Sequence, residues 1–122
     1  MERLFFSLGA LMAGLAVVLG AYGAHGGESA LGVEQARWIA KGARYQMYHG
    51  LGLLALAWAS SHWPKQLRLF QISGLFLLAG IICFSGSLYL MAFTGFSAGY
   101  ITPLGGVSFL LGWLLMGVAV WR

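Results

Sequence analysis

The chain predicts an all-α integral membrane protein, with four transmembrane helices in an up-down bundle. Four uncharged apolar stretches, Leu4–Ala24, Tyr45–Ser61, Leu69–Phe93 and Ile101–Trp121, take up most of its 122 residues. Only 8% of the residues are charged and 60% are hydrophobic, with a mean hydropathy of +0.82, so there is almost nothing from which to build a water-facing surface. The first and last stretches, at about 21 residues and 1.5 Å per residue, reach roughly 30 Å, the thickness of a bilayer's hydrocarbon core. Backbone in that medium must satisfy its polar groups internally, which selects helices. The expected organisation is one domain, residues 1–122, with spans near 4–24, 44–61, 69–93 and 101–121.

In the first stretch Gly9, Ala13, Ala16, Gly20 and Gly23 recur at 4-3-4-3 spacing and line one stripe of a helix. Lipid tails supply no hydrophobic drive for helix association, so small residues that let backbones approach do that work. The stripe is expected to pack against another helix of the same chain. The Ala21-Tyr22-Gly23-Ala24 string resembles the cleavage region of a secretory signal, but the apolar run before it is longer than a signal core, and it reads as a first span.

The second element starts before its apolar stretch. Helical periodicity begins near Glu34, and Arg37, Lys41, Arg44 and Tyr48 share one face. Run on to Ser60, this helix would be about 40 Å long. Its polar segment Arg44–His49 would then reach into the bilayer and face protein or water. Ser61-His62-Trp63-Pro64 ends it, and Lys65 and Arg68 mark the start of the third helix at a membrane surface. In the third stretch Ala79, Cys83 and Gly86 repeat the small-residue device, with Cys83, the one cysteine, as a packing residue. Thr102 and Pro103 start the fourth helix, Thr102 as N-cap and Pro103 where a missing N–H costs nothing. Trp63, Trp121, Tyr22 and Tyr100 stand at span ends as interfacial anchors.

The formal charge of +4 is spread over helix ends and loops and reads as topology signal, not as a nucleic-acid patch. Arg3, Lys65, Arg68 and Arg122 fall on one side of the membrane and Arg37, Lys41 and Arg44 on the other. The short second loop is basic and the third carries no basic residue. Both termini are therefore expected in the cytoplasm, with the chain in the cell inner (plasma) membrane.

The strings Gly20-Ala21-Tyr22-Gly23-Ala24-His25-Gly26, Arg44-Tyr45-Gln46-Met47-Tyr48-His49, Phe84-Ser85-Gly86-Ser87-Leu88-Tyr89 and Ile101-Thr102-Pro103-Leu104-Gly105-Gly106 occur in this order. In these the chain resembles the YgdD/YwdK-like family of small bacterial inner-membrane proteins. The resemblance runs over essentially the whole chain. It implies a four-span membrane protein and no activity, because the family is a domain of unknown function.

The motif residues suggest a site. His25 closes the first span and His49 lies near the start of the second, so antiparallel helices would put both on one side, as a bis-histidine haem or a metal needs. No third or fourth ligand is evident, and structural hydrogen bonding is the competing role. Arg44 has no carboxylate partner within the spans, because the chain has no Asp and every Glu lies outside them. It is expected to bond carbonyls, hydroxyls of the third and fourth helices, or an anionic headgroup. In an up-down bundle His25, Arg44, Tyr48, His49, Ser85, Ser87, Tyr89 and Thr102 converge on one mouth. They would form either a polar pocket for a lipid or small ligand or bonds that hold the loops.

The chain has no Ser-His-acid set, paired carboxylates, nucleotide-binding glycine motif or zinc spacing. The reading is a non-catalytic assembly or ligand-binding module with membrane lipid as partner, needing no metal or other cofactor. A second copy or a larger membrane complex is a further partner, and nucleic acid is not. One alternative is a redox accessory protein holding haem or quinone near His25, His49 and Arg44. Another is an oligomeric small-solute channel or transporter.

Overall fold

The computed structural model describes residues 1–122 and is helical almost throughout. Helix α1 (Glu2–His25) leads through a short α2 (Gly27–Leu31) into α3 (Val33–His62). After a 3₁₀ turn at Pro64–Gln66 come α4 (Leu67–Gly80), a π turn (Ile81–Ser85), α5 (Gly86–Thr94) and α6 (Ile101–Ala119). Three segments are long and apolar enough to cross a membrane: Glu2–His25, Pro64–Thr94 and Ile101–Ala119. Within the first and last of these, only 17% of the most apolar window is buried, so most of that surface faces outward. In water such a surface would be a large exposed apolar patch, whereas in lipid it is in its own solvent. Helix α3 is the longest unbroken α-helix but less apolar than these segments, and it is the most buried helix of the fold.

Neighbouring helices alternate in direction, but they do not close into a four-cornered bundle. Helix α3 is central, with α1 along one side and the hairpin of α4, α5 and α6 along the other. The small-residue stripe of α1 does pack inside the chain. A Cβ on Gly9 would stand 2.7 Å from the Gly50 carbonyl oxygen, and one on Gly50 would stand 3.0 Å from the Gly9 oxygen. Further along, Gly20 faces Ala43 and Gly23 faces Ile39. Backbone-to-backbone approach of this kind is what small residues permit in a membrane. Phe5 reaches past α3 and seats its ring against Gly74 of α4. Phe5, Leu53, Leu56, Phe70, Leu77 and Phe109 are core members.

Two expectations change. The third helix buries Ser73, Gly74, Leu77, Gly80 and Ile81, while Ala79 is exposed and a Cβ on Gly86 would meet only the Ile81 oxygen. The contact face is therefore not the Ala79–Cys83–Gly86 stripe. The N–H of Gly86 bonds the Ile81 carbonyl, five residues back, and this π turn rotates everything beyond it relative to a regular helix. Thr102 is not the N-cap of the last helix, because Tyr100 holds that place and the Thr102 hydroxyl pairs with Ser87 instead. Pro103 still costs no hydrogen bond, since it falls among the four N–H groups that lack a helical acceptor. The α5 helix ends on Gly95 at φ 72°, a left-handed conformation that glycine adopts without strain.

Candidate functional site

The polar residues divide into a bonded seam and a separate aromatic cleft. The seam is built on α3. Gln46, buried, donates from Nε2 to the Met12 carbonyl of α1 at 2.8 Å, and its Oε1 accepts from the Tyr89 hydroxyl of α5 at 2.8 Å. Ser85, in the π turn, donates to the Gly42 carbonyl at 2.7 Å. The Ser87 and Thr102 hydroxyls bond each other between α5 and α6, and Ser87 Oγ also donates to the Phe84 carbonyl. Gly42 makes room for the Tyr89 ring, since a Cβ there would lie 2.7 Å from Cε1. Gly105 lets α6 come against the Phe84 backbone in the π turn. The π turn, Gly42 and Gly105 thus bring three of the four sequence motifs into direct contact.

Ser85 and Tyr89 are spent on bonds to α3, and Ser87 and Thr102 on a bond between α5 and α6, in place of the open polar pocket expected of them. No side-chain nitrogen or oxygen that is fully shut off from the surface lacks a partner. His25 and Arg44 lie outside these bonds. His25 is exposed at the end of α1. The pairing of Gly23 with Ile39 puts that end level with the first turns of α3, whereas His49 lies level with Ala13, next to Gly50. That separation is about a dozen residues along α3, roughly 18 Å, so the two imidazoles cannot share a haem or metal. The reason is that α3 begins at Val33 and runs beside α1 over its whole length, carrying His49 deep into the bundle. Nor does any group of three His, Cys, Asp or Glu side chains come within metal-binding reach.

Arg44 does not bond the third and fourth helices. It is exposed, and it lines a groove between α1 and α3 with Ala16, Gly20, Ala40, Ala43, Met47 and Tyr48. The side-chain hydrogen bonds of the seam do not include its guanidinium. Its position one residue after Ala43 turns it away from the α5 side that Gly42 faces.

The cleft lies between α3 and α6. It encloses about 440 Å³ and is lined by Tyr45, Tyr48, His49, Phe84, Gly106, Phe109, Leu110 and Trp113. Tyr48 and Leu110 are exposed, which opens it sideways toward the lipid. His49 is buried and stacks on Phe109 with ring centroids 3.4 Å apart and planes 9° from parallel. Tyr45 packs against Phe84 at 4.8 Å, and Trp113 stands 5.7 Å from the His49 ring. Phe109 is held because Gly80 leaves the hollow that its ring fills. His49 Nδ1 lies 2.6 Å from the Tyr45 carbonyl oxygen. A carbonyl only accepts, so Nδ1 carries the proton and Nε2 of the neutral ring keeps a lone pair. The cleft therefore offers flat aromatic walls and, at His49 Nε2, a hydrogen-bond acceptor, among lining residues that also bear the Tyr45 and Tyr48 hydroxyls and the Trp113 indole N–H.

Gln46, Tyr45, Phe84, Phe109 and Trp113 were not among the candidates that sequence reasoning singled out. Gln46 carried a readable signal, a lone amide in an apolar helix that must find partners on neighbouring helices. The aromatic residues carried none, because nothing in one sequence shows which of many rings share a cleft.

Residues 19–106 match the family model described as "Protein of unknown function (DUF423)". The chain is 42% identical to the UPF0382 membrane protein YwdK of Bacillus subtilis over 118 residues, covering 96% of this chain and 95% of that one. It is 39% identical to the UPF0382 inner membrane protein YgdD of Escherichia coli over 123 residues, covering 99% and 92%. It is 43% identical to a UPF0382 membrane protein of Staphylococcus saprophyticus over 121 residues, covering 98% of each. No solved structure matches. Nearly full-length likeness to these relatives, the family match and the outward-facing apolar helices together make the chain a membrane protein of the DUF423/UPF0382 family.

Proposed function

We propose that this protein is a non-catalytic, four-span module of the inner (plasma) membrane that holds a lipophilic ligand in the cleft between α3 and α6. The fourth span is α3, which lies antiparallel to α1 from Gly9–Gly50 to Gly23–Ile39 and buries Gln46, His49 and Ser60 against its neighbours. Both termini face the cytoplasm, from the distribution of Lys and Arg. The ligand reading is carried by one observation, the His49 ring, whose Nδ1 is committed to the Tyr45 carbonyl while its Nε2 lone pair is left in an aromatic cleft.

A volume of about 440 Å³ falls within the usual range of small-molecule sites, roughly 300–1,000 Å³. The walls suit a flat ring, and the acceptor suits a ligand that brings a hydroxyl, as membrane quinols and other isoprenoid phenols do. The chain has no acid–base pair beside the cleft, and its polar seam is spent on holding helices, which supports binding without catalysis. Any haem alternative loses its second histidine, since His25 is remote. The quinone alternative survives in this narrower form, around His49, without His25 or Arg44.

Mass spectrometry of organic extracts from the purified protein tests the reading. A stoichiometric hydroxyl-bearing isoprenoid is expected with wild type and is expected to be lost from Gly106→Phe, which fills the cleft. Extracts holding only bulk phospholipid from both would refute it.

A further inference from the structure

Helix α3 carries three cations where its neighbour is built for lipid. Arg37, Lys41 and Arg44 are all exposed and follow one another down one face over about 10 Å. The helix pairing fixes their depth. Arg37 lies level with the end of α1 at His25, because Gly23 meets Ala36, Ile39 and Ala40. Arg44 lies level with Gly20, which faces Ala43, and so about 7.5 Å inside that end. Val17 and Val18 of α1, one turn deeper, are exposed and apolar. The cations thus step from the helix end to the upper acyl region on a surface open to the bilayer.

Directly beside Arg44 is a groove of about 310 Å³ lined by Ala16, Gly20, Ala40, Ala43, Met47 and Tyr48. We infer that this face is a seat for one anionic phospholipid, its phosphate held by Arg44 and Lys41 and one acyl chain lying in the groove between α1 and α3. Three observations converge on that occupant. Charge is complementary, since the three cations outnumber the acids of this end, Glu28 and Glu34, and leave a net positive charge of one. The Arg fork matches phosphate oxygens, and Lys and Arg stems reach upward from this depth to the headgroup layer. Below the cations the lining turns to Ala16, Met47 and Tyr48, suited to a chain with a polar end. A second copy of the protein fits less well, because a two-fold contact here would set each copy's cations against the same cations of the other.

Native mass spectrometry of the full chain in detergent, with equimolar phosphatidylglycerol and phosphatidylcholine of the same acyl chains, tests the seat. Wild type is expected to retain at least fivefold more phosphatidylglycerol. The Arg37→Gln/Lys41→Gln/Arg44→Gln variant is expected to fall to parity, while Lys65→Gln/Arg68→Gln, at the opposite end, keeps the preference. Arg44→Lys, which preserves the charge and cannot disturb a buried contact, is expected to keep a reduced preference, so that a triple variant that fails to fold does not decide the matter. Parity in wild type, an unchanged preference in the triple variant, or displacement of the lipid by equimolar inorganic phosphate would overturn the proposal. So would a triple variant that converts a two-chain particle to one chain, which would mark the face as a contact between copies.

Discussion

The Tyr89 hydroxyl of α5 donates to Gln46 Oε1 of α3 at 2.8 Å, and the amide nitrogen of the same Gln46 reaches the Met12 carbonyl of α1 at 2.8 Å. One side chain therefore ties three helices in a medium that offers its polar atoms no other partner. Hydrogen bonds of this kind between membrane helices average about 0.6 kcal/mol, with the largest near 1.7. Leaving a buried acceptor unpaired costs about 1–3 kcal/mol.

Tyr89→Phe is accordingly expected to lower stability by about 1–2 kcal/mol, and Gln46→Leu by a similar amount. The double variant is expected to lose clearly less than the two single losses combined, because the shared bond is counted in both. Chemical denaturation in mixed micelles provides all the values of this cycle. Strict additivity would mean that the bond contributes nothing.

Close packing of α1 on α3 is tested at Gly9. A methyl there would press on the Gly50 carbonyl oxygen at 2.7 Å and on Leu53 Cβ at 3.0 Å, so the helices must separate. Gly9→Ala is expected to cost about 1–3 kcal/mol, and Gly9→Leu more. Gly14, which has open space where a Cβ would go, is the control. Gly14→Ala should leave the thermal midpoint in detergent unchanged. Equal tolerance at both positions would contradict the intrachain packing.

Much of this was legible in the sequence, and the limits have physical causes. The small-residue stripe from Gly9 to Gly23 pointed to a packing face, because close approach in lipid requires small residues, and α3 was readable as an over-long helix from the phase of its cations. The reading put Ser85, Ser87, Tyr89 and Thr102 at one mouth from the alternation of helix direction alone, which does not say that Ser85 and Tyr89 bond α3 while Ser87 bonds Thr102. It failed at the π turn, since one extra residue between Ile81 and Gly86 shifts the helix face and leaves no mark in composition. It also failed for His49. The depth of a residue depends on the register between two helices, and that register is set by contacts such as Gly9 with Gly50, which appear only once the helices are packed. Arg44 was placed on the wrong side of α3 for a related reason. One residue is a 100° step around a helix, so only the observed neighbours decide which partner it faces.

Topology gives a further expectation. Ser97 and Lys65 are both exposed at opposite ends of the α4–α5 segment. In a Cys83→Ala background, Ser97→Cys should react with a membrane-impermeant maleimide in intact cells, and Lys65→Cys should react only after lysis. Labelling of Lys65→Cys and not Ser97→Cys would invert the orientation.

The Phe109 ring fills the hollow at Gly80 and thereby holds the wall against which His49 stacks. Gly80→Ala is expected to displace that ring and weaken ligand retention, while Ser108, which donates to the Phe76 carbonyl at 2.6 Å, keeps α6 attached to α4. Helical content by circular dichroism should be unchanged. Full retention by Gly80→Ala would show that the wall does not shape the site.

The proton on His49 Nδ1 offers the sharpest test of the cleft. An unprotonated Nε2 accepts a hydrogen bond from a quinol hydroxyl but has nothing to give the carbonyl of the oxidised quinone. Equilibrium binding of a short-chain quinol and of its quinone to the purified protein, followed by fluorescence of a variant that keeps only Trp113 in the cleft, measures this difference. One neutral hydrogen bond of about 0.5–1.5 kcal/mol corresponds to roughly 2- to 13-fold tighter binding of the quinol. His49→Leu should bring the two affinities together. Equal affinities in the wild-type cleft, or a quinol preference that survives His49→Leu, would contradict the role given to His49.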